Sequence, residues 1–262
     1  MSRKGLNPTA TFVVAVNDRG VYERTFLQST HFKQDNLSIH TKTGYPSASL
    51  AYNEGLAEAE AELVIFAHQD VFFPENWLQK LLQATEAIQT KDRNWGVIGC
   101  FGVTRTNQRY GHLYSTGLRS ILGAPLERPM PVQTLDEMVL ILRKSSGLSF
   151  DEHLPGFHLY GTDICMQAAR RGMVNYAIDA FCIHNSSQTV HLPAEFFRCY
   201  RYLRMKYWNE LPIQTSCIRI TKSNSHYFRY RLDGLIARFT RRKGNIRHAD
   251  PAALWQVLKH NV

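Results

Sequence analysis

The chain has 262 residues, a net charge of +9, 44% hydrophobic and 20% charged side chains, which excludes a disordered or fibrous protein and leaves ample material for a core. No apolar run approaches the roughly 20 residues of a bilayer span, and the run at 12–16 is too short for a signal-peptide core, so a cytoplasmic protein is expected. The five cysteines, Cys100, Cys165, Cys182, Cys199 and Cys217, form no CxxC pair, which excludes a disulfide framework or zinc ribbon and fits a reducing compartment.

Charge divides the chain. Residues 1–189 carry 17 Lys+Arg against 18 Asp+Glu, a net −1, whereas 190–262 carry 14 against 4, a net +10. The division predicts a main domain at 1–189 and a basic, aromatic, mainly helical extension at 190–262.

Residues 11–16 (TFVVAV) read as a buried strand ending in the polar loop Asn17-Asp18-Arg19-Gly20. Tyr22, Phe26 and Leu27 then recur at helical spacing. After Asp35 and Asn36, residues 37–42 read as a second strand and 47–61 as a second helix. Residues 63–67 (LVIFA) form a third strand, ended by His68-Gln69-Asp70, and Pro74 suits the start of a helix with Trp77, Leu78, Leu81 and Leu82 on one face. Strand and helix alternate at the spacing of parallel βαβ units, whose ligands lie beyond the carboxyl ends of the strands. Beyond them, 95–103 reads as one strand, 105–131 as glycine- and proline-rich loop, and 138–143 as a strand. Thr162 is the expected N-cap of a short helix ending at Gly172, and 174–183 is a further strand ended by His184. Helices are expected at 192–208 and 251–260, with a basic, aromatic stretch at 227–243 between them.

Four polar groups fall at strand or loop ends: Asn17/Asp18, His68-Gln69-Asp70, Thr162-Asp163 and His184. Each has an ordinary reading as well. Asp70 suits a turn before a proline-initiated helix, Asp163 a first-turn acid, and His184 a hydrogen-bonded structural histidine.

Their order carries more than any one of them. The VVAVNDR strand and loop, then SASLAYNEGL, LVIFAHQDV, WGVIG, FDEHLPGFHLYGTDICMQAARRG and a strand ending in His184 together resemble the family 2 type of glycosyltransferase. The closest likeness is to the bacterial branch whose metal motif reads HQDV, and it covers about residues 11–187. It implies a GT-A, Rossmann-like α/β fold with a mixed central sheet flanked by helices. By the same resemblance, Asn17, Asp18 and Arg19 hold the base and ribose of a nucleotide-diphosphate sugar, and Asn53 shapes the donor pocket. His68 and Gln69 would line that pocket, Asp70 and His184 would bind the divalent metal, and Asp163 would be the catalytic base. Asp136 and Glu137 fall where the family approaches the sugar or acceptor; an exposed capping pair is the other reading.

The chemistry is consistent with these roles. A departing diphosphate gathers negative charge that a divalent cation offsets, and an acceptor hydroxyl needs a carboxylate to take its proton. Asp70 suits Mg²⁺ or Mn²⁺, and an imidazole from His184 favours Mn²⁺. Direct displacement inverts the anomeric carbon and needs no covalent nucleophile. The resemblance implies an inverting hexosyltransferase of polysaccharide biosynthesis, using a UDP-sugar and a glycan or lipid-linked acceptor. His68 stands where the widespread DxD motif has its first acid; it could hold the ribose or metal, or only pack beneath them. The alternative is a nucleotide-sugar or carbohydrate binding protein that lost turnover through that replacement.

Arg198, Arg201, Tyr202, Arg204, Lys206, Tyr207 and Trp208, with Arg229, Tyr230 and Arg231, suggest peripheral contact with an anionic membrane surface. A solvated face packing its aromatics on the main domain is the other reading. No nucleic-acid-binding motif accompanies the charge, so nucleic acid is not the expected partner.

Overall fold

The computed structural model describes residues 9–29, 37–188, 192–239, 244–260 and 262. Asp35 and Asn36, the boundary at 189/190 and the end of the basic stretch at Lys243 lie outside the described residues. The first half contains β1 (Ala10–Val16), α1 (Arg19–Arg24), β2 (Leu37–Thr43), α2 (Ala48–Glu58), β3 (Leu63–His68), β4 (Val71–Phe72), α3 (Trp77–Lys91), β5 (Ile98–Gly99) and β6 (Phe101–Val103). There follow β7 (Arg109–Ser115), β8 (Ser120–Ala124), β9 (Met130–Val132), β10 (Thr134–Leu135), β11 (Val139–Arg143), α4 (Tyr160–Arg170), β12 (Asn175–Ala177) and β13 (Cys182–His184). The last quarter holds α5 (Ala194–Lys206), β14 (Ile213–Gln214), β15 (Arg219–Ile220), α6 (Ser225–Phe239) and α7 (Pro251–Leu258).

The main sheet has the order β2-β1-β3-β11-β5-β12-β9. β2, β1 and β3 are parallel, as the βαβ spacing predicts, but β11 runs antiparallel to both β3 and β5, so the sheet is mixed. Its centre is apolar on both faces because both faces are covered. Along β1, Phe12, Val14 and Val16 point into one layer with Phe26, Phe73, Trp77 and Leu81. Val13 points into the other, with Tyr52, Tyr160 and Ile164. β3 and β11 alternate in the same way, Ile65 and Ile141 to the first layer, Phe66 and Leu140 to the second. Each such buried side chain contributes about 1.5–3 kcal/mol.

A second sheet, β10-β6-β7-β13-β4 with β8 on β7, stands against the first. Two stretches expected as single strands are divided between the sheets. Residues 95–103 yield β5 and β6 on either side of Cys100, and 174–183 yield β12 and β13. Apolar continuity cannot reveal this, because both halves are buried. The expected loop at 105–131 contains the β7–β8 hairpin and β9. Gly111 and Gly123, at φ 136° and 74°, allow the close cross-strand approach that a Cβ would block.

Thr162 is not an N-cap. The helix begins earlier, after Leu159 in the left-handed region at φ 62°, and Thr162 lies inside it. Side chains of the expected extension pack with those of the first part of the chain: Phe196, Cys199, Tyr200, Leu203, Tyr207, Ile213 and Ile220 belong to the same cluster as Tyr52 and Phe66. Helix α6 packs on that cluster through Tyr227 and Tyr230, and α7 packs elsewhere, through Trp255 against Phe181.

Helix α2 lies on β1 at Gly55, where a Cβ would run into the stiff, β-branched side chain of Val13. Gly55→Ala should destabilise the fold by about 1–3 kcal/mol in urea unfolding. Val13→Ala should cost less in that background than in the wild type, since it clears the collision.

Candidate active site

The ends of β1 and β3 lie side by side, and the polar residues that follow them interlock. Gln69 Oε1 accepts from the backbone N–H groups of Asn17 and Asp18, both at 3.0 Å, while its Nε2 donates to Asn17 Oδ1. Asp18 caps α1, accepting from Val21 N at 3.0 Å. Beyond these strand ends opens a cleft of about 580 Å³, floored by Ala15, Val16 and Tyr52 and walled by Lys42 to Tyr45, with Asn17, Arg19, His68, Gln69 and Asp70 along its rim. Asp18 does not line it. Neither does Asn53, whose amide donates to Phe150 O at 2.9 Å and Glu152 Oε1 at 3.0 Å while its Oδ1 accepts from Phe150 N at 2.8 Å. The Asn53 side chain therefore anchors the 150–152 loop to α2.

A second cavity, of about 620 Å³, shares His68 and Asp70 with the first and is lined further by Asp136, Glu137, His158, His184, Phe196 and Arg247. The two spaces thus adjoin at these two residues. There His68, Asp70 and His184 bring their donor atoms within 4.8 Å of one another. Asp70 Oδ1 faces His184 Nε2 at 3.5 Å and His68 Nδ1 at 4.0 Å. Its Oδ2 accepts from Arg247 at 3.1 Å. Burial would push the Asp70 carboxyl up, but His184, His68 and Arg247 outweigh it and hold it well below the ordinary range. His184 is the reverse case: burial opposes its charge, yet the facing Asp70 raises its pKa. His68 is lowered to about 4 by burial, despite Asp70, and its Nε2 meets Tyr160 OH at 2.6 Å. Two imidazoles and one carboxylate oxygen are a donor set that fits a divalent metal.

Asp136 and Glu137 both line the second cavity. Burial and the neighbouring Asp136 raise Glu137 to about 8, against the pull of the backbone N–H groups of Gly161, Leu159 and Tyr160.

Asp163 does not reach either cavity. It is 1% exposed; Oδ1 accepts from Lys206 Nζ and Tyr207 OH, both at 2.7 Å, and Oδ2 from Gln167 at 2.8 Å. The expectation that it faces an acceptor is not matched by these surroundings, and the cause is helical phase: Thr162 turns to the cavity, and the next residue turns to α5. Asp70 and Asp163 therefore do not converge on one space.

Arg247, Tyr160, Lys42 and Lys206 were not singled out as site residues. Buried Lys42 and half-buried Lys206 are already bound to acids, Lys42 to Glu54 at 2.8 Å and Glu58 at 2.7 Å, Lys206 also to Asp151 at 2.6 Å. Arg247 lay within a block of basic residues, and no local pattern distinguished it from its neighbours.

The sequence profile of the family described as "Glycosyltransferase like family" matches residues 11–199, that is 189 of 262. A Fuscovulum blasticum protein named "ATP synthase subunits region ORF 6" is 27% identical over 207 residues, 75% of this chain and 82% of its own length. Among solved structures, GalNAc-T7 with UDP, GalNAc and Mn²⁺ is similar at TM-score 0.50 and 11% identity, covering 78% of this chain and 50% of its own. The mannosyltransferase PcManGT from Pyrobaculum calidifontis, in complex with GDP-Man and Mn²⁺, matches at TM-score 0.49 and 12% identity over 80% and 66%. The chain spans half the length of the GalNAc-T7 structure; the likeness places its fold in the GT-A class.

A carboxyl raised on folding from 4.5 to about 8 makes stability depend on pH. The contribution is fully present below pH 4.5 and is lost as pH rises towards about 8. Glu137→Gln should flatten that slope and leave the variant more stable than wild type at pH 8.5 by on the order of a few kcal/mol in chemical denaturation.

Proposed function

Because the chain belongs to the glycosyltransferase-like family, we propose that it moves a sugar, with inversion, from a nucleotide diphosphate to the hydroxyl of a glycan or lipid-linked acceptor. One observation carries the reading: two cavities adjoin at His68 and Asp70, so two substrates can meet there. The donor's nucleotide occupies the cleft beyond β1, beside Asn17, Arg19, Lys42 and Tyr45. A UDP-sugar is the first donor to test. The acceptor occupies the second cavity.

Asp70 and His184, with His68 as a third donor, would hold a divalent metal, Mn²⁺ in preference to Mg²⁺, whose chemistry is to offset the charge that develops on the diphosphate. Arg247, beside Asp70, supplies a fixed positive charge on the same side. The acceptor oxygen attacks the anomeric carbon as the bond to the diphosphate breaks, and its proton needs a carboxylate in the cavity. We assign that proton to Glu137. Its raised pKa makes its ionised form a stronger base than an ordinary carboxylate, near the value general-base catalysis favours at neutral pH. Asp163, the acid first expected in that role, instead ties α4 to α5. Residues 1–189 would bind the donor, while 190–262 close the acceptor side.

Thermal shift against UDP- and GDP-sugars, with Mn²⁺, Mg²⁺ or chelator, tests the donor site. A ligand at 100 times its dissociation constant stabilises by about 2.7 kcal/mol. Asp70→Asn should abolish the metal-dependent part of the shift. Glu137→Gln should keep the shift and lose roughly 10²–10⁴ in kcat, whereas Asp163→Asn should chiefly lower stability. A folded Asp163→Asn that binds donor but does not turn over, beside a fully active Glu137→Gln, would return the base to Asp163.

A further inference from the structure

Among the described residues no helix is long and apolar enough to cross a membrane. One helix nonetheless exposes apolar side chains in a row. On α6, Phe228, Leu232 and Ile236 are 63%, 58% and 51% exposed, and their i, i+4, i+8 spacing puts them on one stripe. The opposite side of the helix is occupied. Tyr227 packs its ring on Phe197 at 5.3 Å and Tyr200 at 5.6 Å, and Tyr230 lies against the same core. The stripe therefore points outward because the inward face is already spent. Exposed Arg229 borders it, and Asp233 is the single acid on the helix.

Charge indicates what such a face meets. Residues 190–262 carry 14 basic against 4 acidic side chains, while 1–189 are close to neutral. The basic residues of α5 cannot all serve this purpose, since Arg204 donates to the carbonyls of Thr221 and Lys222 and Lys206 is bound to Asp151 and Asp163. On α6, exposed Phe228 and Leu232 stand beside exposed Arg229, so apolar and cationic groups face outward together.

We propose that the outer face of α6 docks on an anionic lipid bilayer, with Phe228, Leu232 and Ile236 at the acyl boundary and Arg229 among the headgroups. An amphipathic helix with apolar residues on one side and arginine beside them binds a bilayer surface in this way. The position matters for the acceptor. α6 rests on Phe197 of α5, and the adjacent Phe196 lines the second cavity, as do Ser216 and Cys217 between β14 and β15. On the glycosyltransferase reading above, docking brings that cavity to the membrane and makes a lipid-linked acceptor its substrate. The docking itself does not depend on that reading.

The test is flotation of the full chain with phosphatidylcholine vesicles, with or without phosphatidylglycerol. Wild type should float with the anionic vesicles and not the neutral ones. Phe228→Glu/Leu232→Glu should lower the bound fraction by roughly tenfold or more, with an unchanged melting curve and unchanged donor hydrolysis in solution. Arg229→Glu should reduce binding less and make what remains less sensitive to salt. Wild type that floats with no vesicle overturns the proposal, as does binding that survives in the apolar pair. Light scattering that finds a wild-type dimer dissolved by the same pair, without flotation, assigns the face to a second copy. A gel shift of RNA that depends on Arg229 but not on the apolar pair, again without flotation, assigns it to nucleic acid. Failure of donor turnover with flotation intact would count against the enzyme reading alone.

Discussion

The Asp70 carboxylate is the constraint on which this site rests. It sits in the turn between β3 and β4, buried, and its low pKa keeps it ionised. A charge so placed must be partnered or it costs several kcal/mol. The partners come from three parts of the chain: His68 two residues earlier, His184 at the end of β13 and Arg247 from the C-terminal segment. Arg247 is fixed in turn by the strap around it. Its Nε donates to Asn185 O, His248 N donates to Asn185 Oδ1, and Asn245 and Gln188 exchange bonds one step further on. The last quarter of the chain therefore completes the environment of a residue laid down in the first third.

Register holds His184 in its place. β13 pairs antiparallel with β4 so that His184 lies opposite Val71, and Asn185 N donates to Asp70 O at 2.7 Å. A slip of one residue would turn His184 to the other face of the sheet and break up the three-donor group. The second sheet, which strand-by-strand reading did not separate from the first, is what carries His184 to β4. That two cavities adjoin at His68 and Asp70 then follows, because β3 ends the first sheet where β4 begins the second.

Asp163 shows how the same residue type can serve the frame. Lys206, Tyr207 and Gln167 saturate its two oxygens, and Lys206 extends the contact to Asp151 and thence to Tyr202. This half-buried network joins α4 to α5. Removing one member would leave a charge without its partner, a change far larger than an exposed pair could produce.

The sequence by itself determined the strands that are apolar on both sides, β1, β3 and β11, and the polar turns that end the first two, since burial and turn chemistry are written in local residue types. It also determined that Asp70 and His184 belong to one order of motifs, and that the basic charge gathers in the last quarter. Tertiary structure alone decided the rest. Whether 95–103 is one strand or two depends on which neighbour each half pairs with, and a buried run is apolar in either case. Whether Asp163 opens on the cavity depends on the phase of α4, which begins after a left-handed Leu159, before the expected cap. Arg247 is one arginine among many until the fold sets it 3.1 Å from a particular carboxylate, because the field of a charge acts across space and not along the chain.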